Sequence, residues 1–432
     1  MLLRVEFRNH RSFRDEASLS LVSSNLKEDV TGTFLHSGIG ILPLCVIYGA
    51  NASGKSNVID VLKYIKHVVK NSHARWEPDE GVTHFPFKLE KDYIIGESRY
   101  SIDFVVDGVL YQFGFELNKK SFVSEWLYAY PKKLKQVWYE RRGQEFKFGK
   151  SLKGNVSTIQ SITRGNSLFL SAGAQNNNAQ LLPIHAFLSS IQFSGDLFVP
   201  GNSLHMGLGS VKKILQFLKF ADTGIVDAKV EVSEAPDDVK EVLLTIKEAI
   251  ETKNRRKPGQ KGRTEFLLSG PGFESVETVS FGHQGEGGDT VYLDLHEESS
   301  GTIRLANLLA PILRVLEDGG VLVVDELDAS LHTLLALKII EMFNSTELNT
   351  KGAQLIAATH DTNMLCSPIL RRDQIWFVEK DKSGASSLYP LTDFSVRRAD
   401  NLEKGYLEGR FGAVPFLGSI RAIREKLSNG EM

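Results

Sequence analysis

The sequence is poor in cysteine and in net charge, and each shortage excludes a class of protein. Its 432 residues include two cysteines, Cys45 and Cys366, too few for a disulfide framework or a cysteine-rich zinc site. We expect both to be small, buried residues in a reducing cytoplasm. Lysine and arginine total 51 against 53 aspartate and glutamate, a formal charge of −2. Any contact with nucleic acid therefore has to come from a local basic patch.

Long apolar runs are also missing from the sequence. No segment approaches the ~20 apolar residues of a membrane-spanning helix, and the first residues do not form a signal peptide. We therefore expect a cytoplasmic protein without a membrane span. Hydrophobic residues still make up 42% of the chain, enough for a large core. By length alone, about two or three domains are expected.

The segment from Ile41 to Leu62 contains a strand, a glycine-rich loop and a helix in succession. Leu44–Tyr48 is apolar and partly β-branched, as expected of a buried strand. Apolar residues at helical spacing then indicate the helix: Val58, Val61, Leu62, Ile65 and Val69. The loop between them fits the phosphate-binding pattern G-x-x-x-x-G-K-[ST] through Gly49, Gly54, Lys55 and Ser56. A glycine-rich turn without a ligand is the alternative, which the flanking strand and helix disfavour.

This loop predicts binding of a nucleoside triphosphate, taken to be ATP, together with Mg²⁺. Loop amides at a helix N-terminus wrap the phosphates, Lys55 reaches the β- and γ-phosphate oxygens, and the Ser56 hydroxyl is a ligand of Mg²⁺. The predicted nucleotide-binding residues of the loop are Asn51, Ala52, Ser53, Gly54, Lys55, Ser56 and Asn57.

A second apolar run ends in two adjacent carboxylates. Gly320 is followed by four apolar residues and then by Asp325 and Glu326, which indicates a buried strand with the acids at its end. Asp325 can hold Mg²⁺ through water, and Glu326 can polarise the attacking water, the two roles that phosphoryl transfer to water requires. A surface acidic pair is the alternative, which the apolar residues directly before it disfavour.

Between these two segments, Glu298–Thr302 opens an amphipathic helix that ends at Gly319. Ser299 and Gly301 can present a hydroxyl and bare amides to an anion, although an ordinary helix N-cap has the same composition. Pro311 lies inside this helix, where a kink is expected.

After the carboxylates come Leu327–His332 and then Gln354–His360, an apolar strand that ends in histidine. The order of these four elements resembles that of ABC-type ATPase heads. The resemblance implies that Ser299 and Gly301 form the signature motif, which completes the ATP site of a second protomer. It further implies that His360 is the switch histidine, catalytic together with Glu326, and that Ser56 and Asp325 hold Mg²⁺. A homodimer or higher homo-oligomer with composite ATP sites is then expected.

Both ends of the chain narrow the resemblance further. Leu3–Phe13 resembles the opening strand of RecF, SMC and OLD-family ATPases, an element that lies beside the nucleotide. His10 stands where phenylalanine is usual, and the resemblance implies that Arg11 binds nucleotide. Asp325–His332 and Tyr406–Pro415 resemble stand-alone RecF-like AAA/ABC ATPases of bacterial anti-phage operons, such as the ATPase subunits of PARIS, Septu and certain retron systems.

These features predict an α/β fold: an ABC-type ATPase head with a mixed P-loop sheet, an antiparallel β-subdomain and a helical insertion lobe. We assign residues 1–150 to the N-terminal ATPase lobe, 151–290 to the insertion and 291–432 to the C-terminal ATPase lobe. Asp107–Gly108 between two aromatic-rich runs is a hairpin signal within the antiparallel part. Its aromatic residues are expected to pack in the sheet rather than form a base-stacking platform.

The insertion is predicted to contain amphipathic helices over residues 210–220 and 237–251, without the long heptad run of an SMC arm. Lys253–Arg263 then gathers basic residues with proline and glycine, a composition typical of an exposed loop. This loop either contacts DNA, RNA or an acidic partner, or is a solvated loop without a partner.

Two hypotheses about function follow. In the first, which Tyr406–Pro415 favours, the ATPase is the sensor and regulatory scaffold of an anti-phage system and controls a separate effector, expected to be a nuclease. In the second, it is a RecF-like repair ATPase that binds DNA. An OLD-type nuclease is disfavoured because only residues 361–432 follow the histidine, too few for a Toprim domain, and they lack a Glu followed by an Asp-x-Asp pair.

Overall fold

The computed structural model describes residues 1–26, 32–194, 208–221, 223–234, 275–397 and 400–415. Contacts divide the chain into two compact units, one formed by Met1–Ser194 and Arg314–Met432 and the other by Gly195–Leu313. The predicted helix over residues 237–251 and the basic loop Lys253–Arg263 lie outside the described residues. The lobe boundaries at residues 150 and 290 stay a prediction.

Strands and helices are numbered in chain order. The strands are β1 (Leu2–Arg8), β2 (Ala17–Ser20), β3 (Phe34–His36), β4 (Ile39–Ile41), β5 (Leu44–Tyr48), β6 (Ser98–Val106), β7 (Val109–Leu117), β8 (Phe122–Tyr130), β9 (Gln136–Arg142), β10 (Glu145–Phe148), β11 (Gln192–Phe193), β12 (Ile225–Glu234), β13 (Ser275–Gln284), β14 (Thr290–Asp294), β15 (Val321–Val324), β16 (Gln354–Ala358), β17 (Ile375–Lys380) and β18 (Ser386–Pro390). The helices are α1 (Lys55–Asn71), α2 (Lys91–Ile95), α3 (Val156–Ile162), α4 (Phe169–Gln175), α5 (Leu181–Ser190), α6 (Leu208–Phe220), α7 (Ser300–Asp318), α8 (Thr333–Asn344) and α9 (Leu402–Leu407). No helix within the described ranges has both the length and the apolar character that a bilayer span requires.

The phosphate loop follows β5, a strand of a six-stranded sheet with the order β11-β15-β16-β5-β17-β18. All neighbouring pairs are parallel except β17 and β18, which are antiparallel. Every residue of β5, β15 and β16 is buried, which explains why these strands are apolar apart from Gln354 at the start of β16. Because the carboxyl ends of parallel strands meet at one edge, the residues that follow these strands converge there.

A second, seven-stranded antiparallel sheet has the order β10-β9-β8-β7-β6-β1-β2. Val106 pairs with Val109, and both residues between them have left-handed backbones, with φ of 49° at Asp107 and 73° at Gly108. The predicted hairpin is thus confirmed, with a two-residue turn. In the two aromatic-rich runs, β6 and β7, four of the five aromatic residues are at most 1% exposed, as predicted for sheet packing: Tyr100, Phe104, Phe113 and Phe115.

Helix α1 begins at Lys55, directly after the phosphate loop. Its apolar face is buried, and it packs against α4, α5 and β16. The helix that starts at the loop is therefore held firmly by the rest of the unit. The predicted α/β class is confirmed, with a mixed sheet that carries the phosphate loop and a separate antiparallel sheet.

The second unit contains α6, the antiparallel sheet β12-β13-β14 and the first part of α7. Helix α6 covers the predicted helix at residues 210–220. The imidazole of His283 on β13 lies 2.7 Å from the Glu298 carboxylate, just before α7. Helix α7 continues through Pro311 to Asp318.

Candidate nucleotide site

Close packing fixes the shape of the loop between β5 and α1. A Cβ atom at Gly49 would lie 2.4 Å from the carbonyl oxygen of Val378, and one at Gly54 would lie 2.6 Å from Ser386 Oγ. Gly54 also has a φ of 122°, and Ala52 is left-handed with a φ of 61°. The two glycines are therefore required because β17 and β18 approach the loop too closely for side chains.

Lys55 is folded back over the loop that precedes it. Its side chain is 6% exposed, and its ammonium donates to the carbonyl oxygens of Gly49, at 2.8 Å, and Ala50, at 3.0 Å. Burial lowers the pKa of Lys55 to about 8, against the opposing attraction of nearby carboxylates, of which Asp325 has the largest effect. A polyphosphate would add negative charge beside the ammonium and favour its protonated form.

The ends of β15 and β16 are tied together by Asp328. One of its carboxylate oxygens accepts hydrogen bonds from Thr359 Oγ1, at 2.7 Å, and from the backbone N–H of His360, at 3.1 Å. Glu326, two residues before Asp328, has a left-handed backbone with a φ of 54°. The turn after β15 is therefore held against the end of β16, so that the carboxylates and the histidine share one edge.

These strand ends surround a cleft of about 510 Å³. Its lining includes nine residues predicted from the sequence and one that was not: Asn51, Ala52, Gly54, Lys55, Ser56, Asn57, Asp325, Glu326, His360 and Lys380. All ten belong to the first compact unit. The hydroxyl of Ser56 and the carboxylate of Asp325 are hard oxygen donors of the kind that Mg²⁺ prefers, so the cleft fits a magnesium-bound triphosphate.

A protein-family profile matches most of the chain, over residues 44–191 and 206–365. The profile is AAA_21, described as AAA domain, putative AbiEii toxin, Type IV TA system. The chain belongs to the AAA_21 family. The matched region begins at β5 and ends shortly after His360, so it contains every residue of the cleft except Lys380. Among curated proteins, none matches the sequence.

Several solved structures are similar to this AAA_21 chain at low identity. An SMC head bound to the C-terminal winged-helix domain of ScpA is 14% identical, with 90% of this chain and 96% of that chain covered and a TM-score of 0.42. The SMC head domain from Thermotoga maritima is 14% identical, with coverage of 90% and 98% and a TM-score of 0.35. The recombination mediator protein RecF of the RecFOR pathway is 12% identical, with coverage of 90% and 98% and a TM-score of 0.34.

The histidine of the AAA_21 cleft favours its neutral form. Burial lowers the pKa of His360, the ammonium of Lys55 lowers it further, and nearby carboxylates oppose both effects. A neutral imidazole donates a hydrogen bond from one ring nitrogen and accepts one at the other. His360 can therefore serve as either partner toward a phosphate oxygen or a water molecule.

Arg11, predicted to bind nucleotide, points toward helix α1 of the AAA_21 fold. Its guanidinium is bonded to the Asp60 carboxylate and lies 4.5 Å from the centre of the Phe85 ring. His10 is buried beneath it, with its two ring nitrogens 2.8 Å from the Tyr100 hydroxyl and 3.0 Å from Asp60. Arg11 is not among the residues that line the cleft, and its contact with nucleotide stays a prediction.

Ser12 reaches the phosphate loop instead, through a chain of hydrogen bonds. Asn57 Nδ2 donates to Ser12 Oγ at 2.6 Å, the hydroxyls of Ser12 and Ser386 lie 2.8 Å apart, and Ser386 Oγ donates to the Ser53 carbonyl at 2.5 Å. Because Ser386 has one hydroxyl proton and a carbonyl can only accept, Ser12 must donate to Ser386. The loop is thus braced from both ends of the chain. Ser53, predicted to bind nucleotide, is buried and does not line the cleft.

Ser299 and Gly301 belong to the second compact unit, at the start of α7. The Ser299 hydroxyl accepts a hydrogen bond from the backbone N–H of Thr302 at 3.1 Å, as an N-cap does. Their contact with the nucleotide of a second AAA_21 protomer stays a prediction.

Sequence reasoning missed Ser12, Ser386 and Lys380. Lys380 ends β17, a strand that opens with four buried apolar residues. A polar residue at the end of an apolar strand is the signal that identified Asp325 and His360. Applied to β17, the same criterion finds Lys380.

Proposed function

We propose that the chain binds ATP with Mg²⁺ in this cleft and hydrolyses it. The proposal rests on the convergence of a lysine, two carboxylates and a histidine on one cleft, brought together by neighbouring strands β15, β16 and β5. This is the set of groups that phosphoryl transfer to water requires. Membership of an AAA domain family supports the same activity.

Each group has a distinct role in the proposed reaction. Lys55 and the loop amides bind the phosphates, while Ser56 and Asp325 hold Mg²⁺, which when bound supplies charge neutralisation at the phosphate oxygens. The Glu326 carboxylate orients the attacking water and accepts its proton. His360 hydrogen-bonds to the γ-phosphate as its neutral imidazole.

Substitution of the base separates binding from hydrolysis. Glu326→Gln should keep ATP affinity but lower the rate of phosphate release by about 10²–10⁴-fold, since it removes the base and keeps the shape. Lys55→Ala should weaken ATP binding itself. Glu347→Gln, the same change at an exposed position away from the cleft, serves as the control. If Glu326→Gln hydrolysed ATP at the rate of the wild type, Glu326 would not be the base.

The active unit is proposed to be a homodimer or higher homo-oligomer with composite ATP sites, in which Ser299 and Gly301 of one protomer complete the site of the next. Lys55→Ala and Ser299→Arg chains should each be inactive alone. Mixed, they form heterodimers with one site that carries both lesions and one that carries neither, so partial ATPase activity should return. Mixtures of Lys55→Ala with the wild type control for coupling between sites. The composite site is contradicted if heterodimers form without recovered ATPase activity while mixtures of Lys55→Ala with the wild type are active.

We also propose that ATP turnover regulates a separate effector, expected to be a nuclease, in an anti-phage system. Support comes from Tyr406–Pro415, which resembles such ATPases, and from where this segment lies. Glu403 of α9 accepts a hydrogen bond from Thr362 Oγ1 at 3.0 Å, and the ring centres of Tyr406 and Tyr48 are 6.1 Å apart. Tyr48, directly before the phosphate loop, therefore contacts this segment, and Thr362, two residues after His360, contacts Glu403, three residues before the segment.

Phage challenge tests this role. Bacteria that carry the gene with its neighbours should plate phage less efficiently than bacteria that carry Glu326→Gln in the same context. Equal plating of phage on both strains, together with ATPase activity that double-stranded DNA stimulates, would favour a RecF-like repair function instead.

A further inference from the structure

Lys380 lies at the nucleotide cleft because of the strand pairing of β17. This strand runs parallel to β5, with Phe377 opposite Tyr48, the last residue before the phosphate loop. Lys380 therefore emerges from the sheet beside the loop, and it is among the residues that line the cleft.

The order of the strands decides on which side of the loop Lys380 stands. Strands β16 and β15, which position His360, Asp325 and Glu326, lie on one side of β5, and β17 lies on the other. The groups proposed to act on the γ-phosphate and on Mg²⁺ are thus across the loop from Lys380. With the γ-phosphate on the His360 side, as in the proposed function, a cation on the other side of β5 is suited to the phosphates that ATP and ADP share.

The backbone of Lys380 is fixed by its strand partner, which is hydrogen-bonded to the phosphate loop. Lys380 pairs with Ser386 across the β17–β18 hairpin, and Ser386 Oγ donates to the Ser53 carbonyl at 2.5 Å. The hairpin turn is closed by Asp381, whose carboxylate accepts hydrogen bonds from the backbone N–H groups of Ser383, at 2.8 Å, and Ala385, at 2.9 Å. The lysine is therefore presented from a rigid turn rather than from a loose loop.

The ammonium of Lys380 is available for a ligand. The residue is exposed, and within the described part of the chain its side chain has no ion pair or hydrogen bond. Lys382, two residues further along the same turn, is also exposed but does not line the cleft. The hairpin thus supplies its own comparison between a lysine at the site and a lysine outside it.

We infer that Lys380 is a phosphate-binding residue that contacts the α- or β-phosphate of the bound nucleotide. The inference rests on the proposed function, because it assigns a contact within the same cleft. A contact made equally in all nucleotide states strengthens binding without accelerating hydrolysis. Lys380 should therefore affect the affinities for ATP and ADP by the same factor.

Direct binding measurements test the inference. The dissociation constants of fluorescent mant-ATP and mant-ADP are measured with Mg²⁺ for the wild type, Lys380→Gln, Lys380→Arg and Lys382→Gln. Loss of one charge-assisted hydrogen bond to phosphate should weaken both ligands by about tenfold or more in Lys380→Gln. Lys380→Arg keeps the charge and should stay close to the wild type, and Lys382→Gln should change affinity less than twofold. Unchanged circular dichroism and melting would show that Lys380→Gln is folded.

The outcomes separate this inference from the proposed function. Equal affinities for Lys380→Gln and Lys382→Gln, while Lys55→Ala loses binding, would overturn the role of Lys380 and leave the nucleotide site intact. Weakening of mant-ATP alone would place Lys380 at the γ-phosphate and overturn the assigned contact. Absence of nucleotide binding by the wild type would overturn the proposed function and the role of Lys380 together.

Discussion

The buried ion pair of Glu125 and Arg141 allows a quantitative prediction about the antiparallel sheet. Neither side chain has exposed surface, and the charged groups are 3.5 Å apart. The remaining polar atoms are satisfied by a surrounding network. Glu125 accepts from the Tyr139 hydroxyl at 2.8 Å and from the backbone N–H groups of Phe169 and Leu170 at 2.7 and 3.0 Å, while Arg141 donates to the carbonyls of Gly143, Arg164 and Ser167 at 2.7, 2.9 and 2.6 Å.

Burial raises the pKa of Glu125 and lowers the pKa of Arg141, so the lost hydration outweighs the mutual attraction of the pair. The stability of the network therefore lies in its completed hydrogen bonds. Arg141→Met would leave a buried carboxylate without its cation, a change that costs about 3–5 kcal/mol. Adding Glu125→Gln removes that unpaired charge, so we expect the double variant to be more stable than Arg141→Met by about 1 kcal/mol or more.

Guanidinium titration monitored by tryptophan fluorescence measures these differences, because Trp126 and Trp138 lie on β8 and β9, the strands that carry the pair. Arg4→Met is the control. It removes a pair with Asp103 at 2.7 Å in which the arginine side chain is 43% exposed, and such surface pairs contribute about 0–1 kcal/mol. Equal costs for Arg141→Met and Arg4→Met would refute the reasoning, as would a double variant less stable than Arg141→Met.

Two further predictions concern groups next to the phosphate loop. Burial lowers the pKa of Lys55 from 10.5 to about 8. Between pH 8 and pH 10.5 the unfolded chain therefore holds a proton on Lys55 that the folded chain has released. The contribution of Lys55 to the free energy of unfolding thus rises with pH in this range. ATP binding at pH 8 to 9 should then take up a proton, measurable by calorimetry in buffers of different ionisation enthalpy, and Lys55→Arg should abolish that uptake; no uptake by the wild type would contradict the shifted pKa. The buried Tyr48 hydroxyl has no hydrogen-bond partner among the described residues, so Tyr48→Phe should leave the melting temperature unchanged or raise it. Tyr139→Phe, which removes a donor to Glu125, should cost about 1–3 kcal/mol, and equal losses in the two variants would count against this distinction.

The sequence predicts two parts of the site: residues that are neighbours in the chain, and residues that directly follow a buried strand. The phosphate loop is contiguous, so its residues meet wherever the chain folds. Asp325, Glu326 and His360 follow buried strands, and the ends of parallel strands converge at one edge. The sequence could not show that β17 lies next to β5, because strand order depends on long-range packing. The polar end of β17 marks Lys380 as a candidate from the sequence, but its place in the cleft, and the contact of Ser386 with the phosphate loop, follow only from the fold.

Arg11 shows a different limit of sequence reasoning. The resemblance places its segment beside the nucleotide, and Ser12 does reach the phosphate loop. Asn9 and Arg11 have left-handed backbones, with φ of 54° and 51°, so a tight turn decides where each successive side chain points. The buried His10 and the Asp60 carboxylate then hold Arg11 against α1. Resemblance between sequences does not show in which direction each of these side chains points.

The hydrogen bond between Ser386 and the Ser53 carbonyl also has a consequence for synthesis of the protein. The two residues are 333 positions apart in the chain. At a translation rate of roughly 5–20 residues per second, the phosphate loop emerges roughly 20 to 70 s before the residue that braces it. During that interval the nascent chain carries the complete phosphate-loop sequence without the β17–β18 hairpin against which it packs. Nucleotide therefore cannot stabilise the finished cleft until most of the chain has been made.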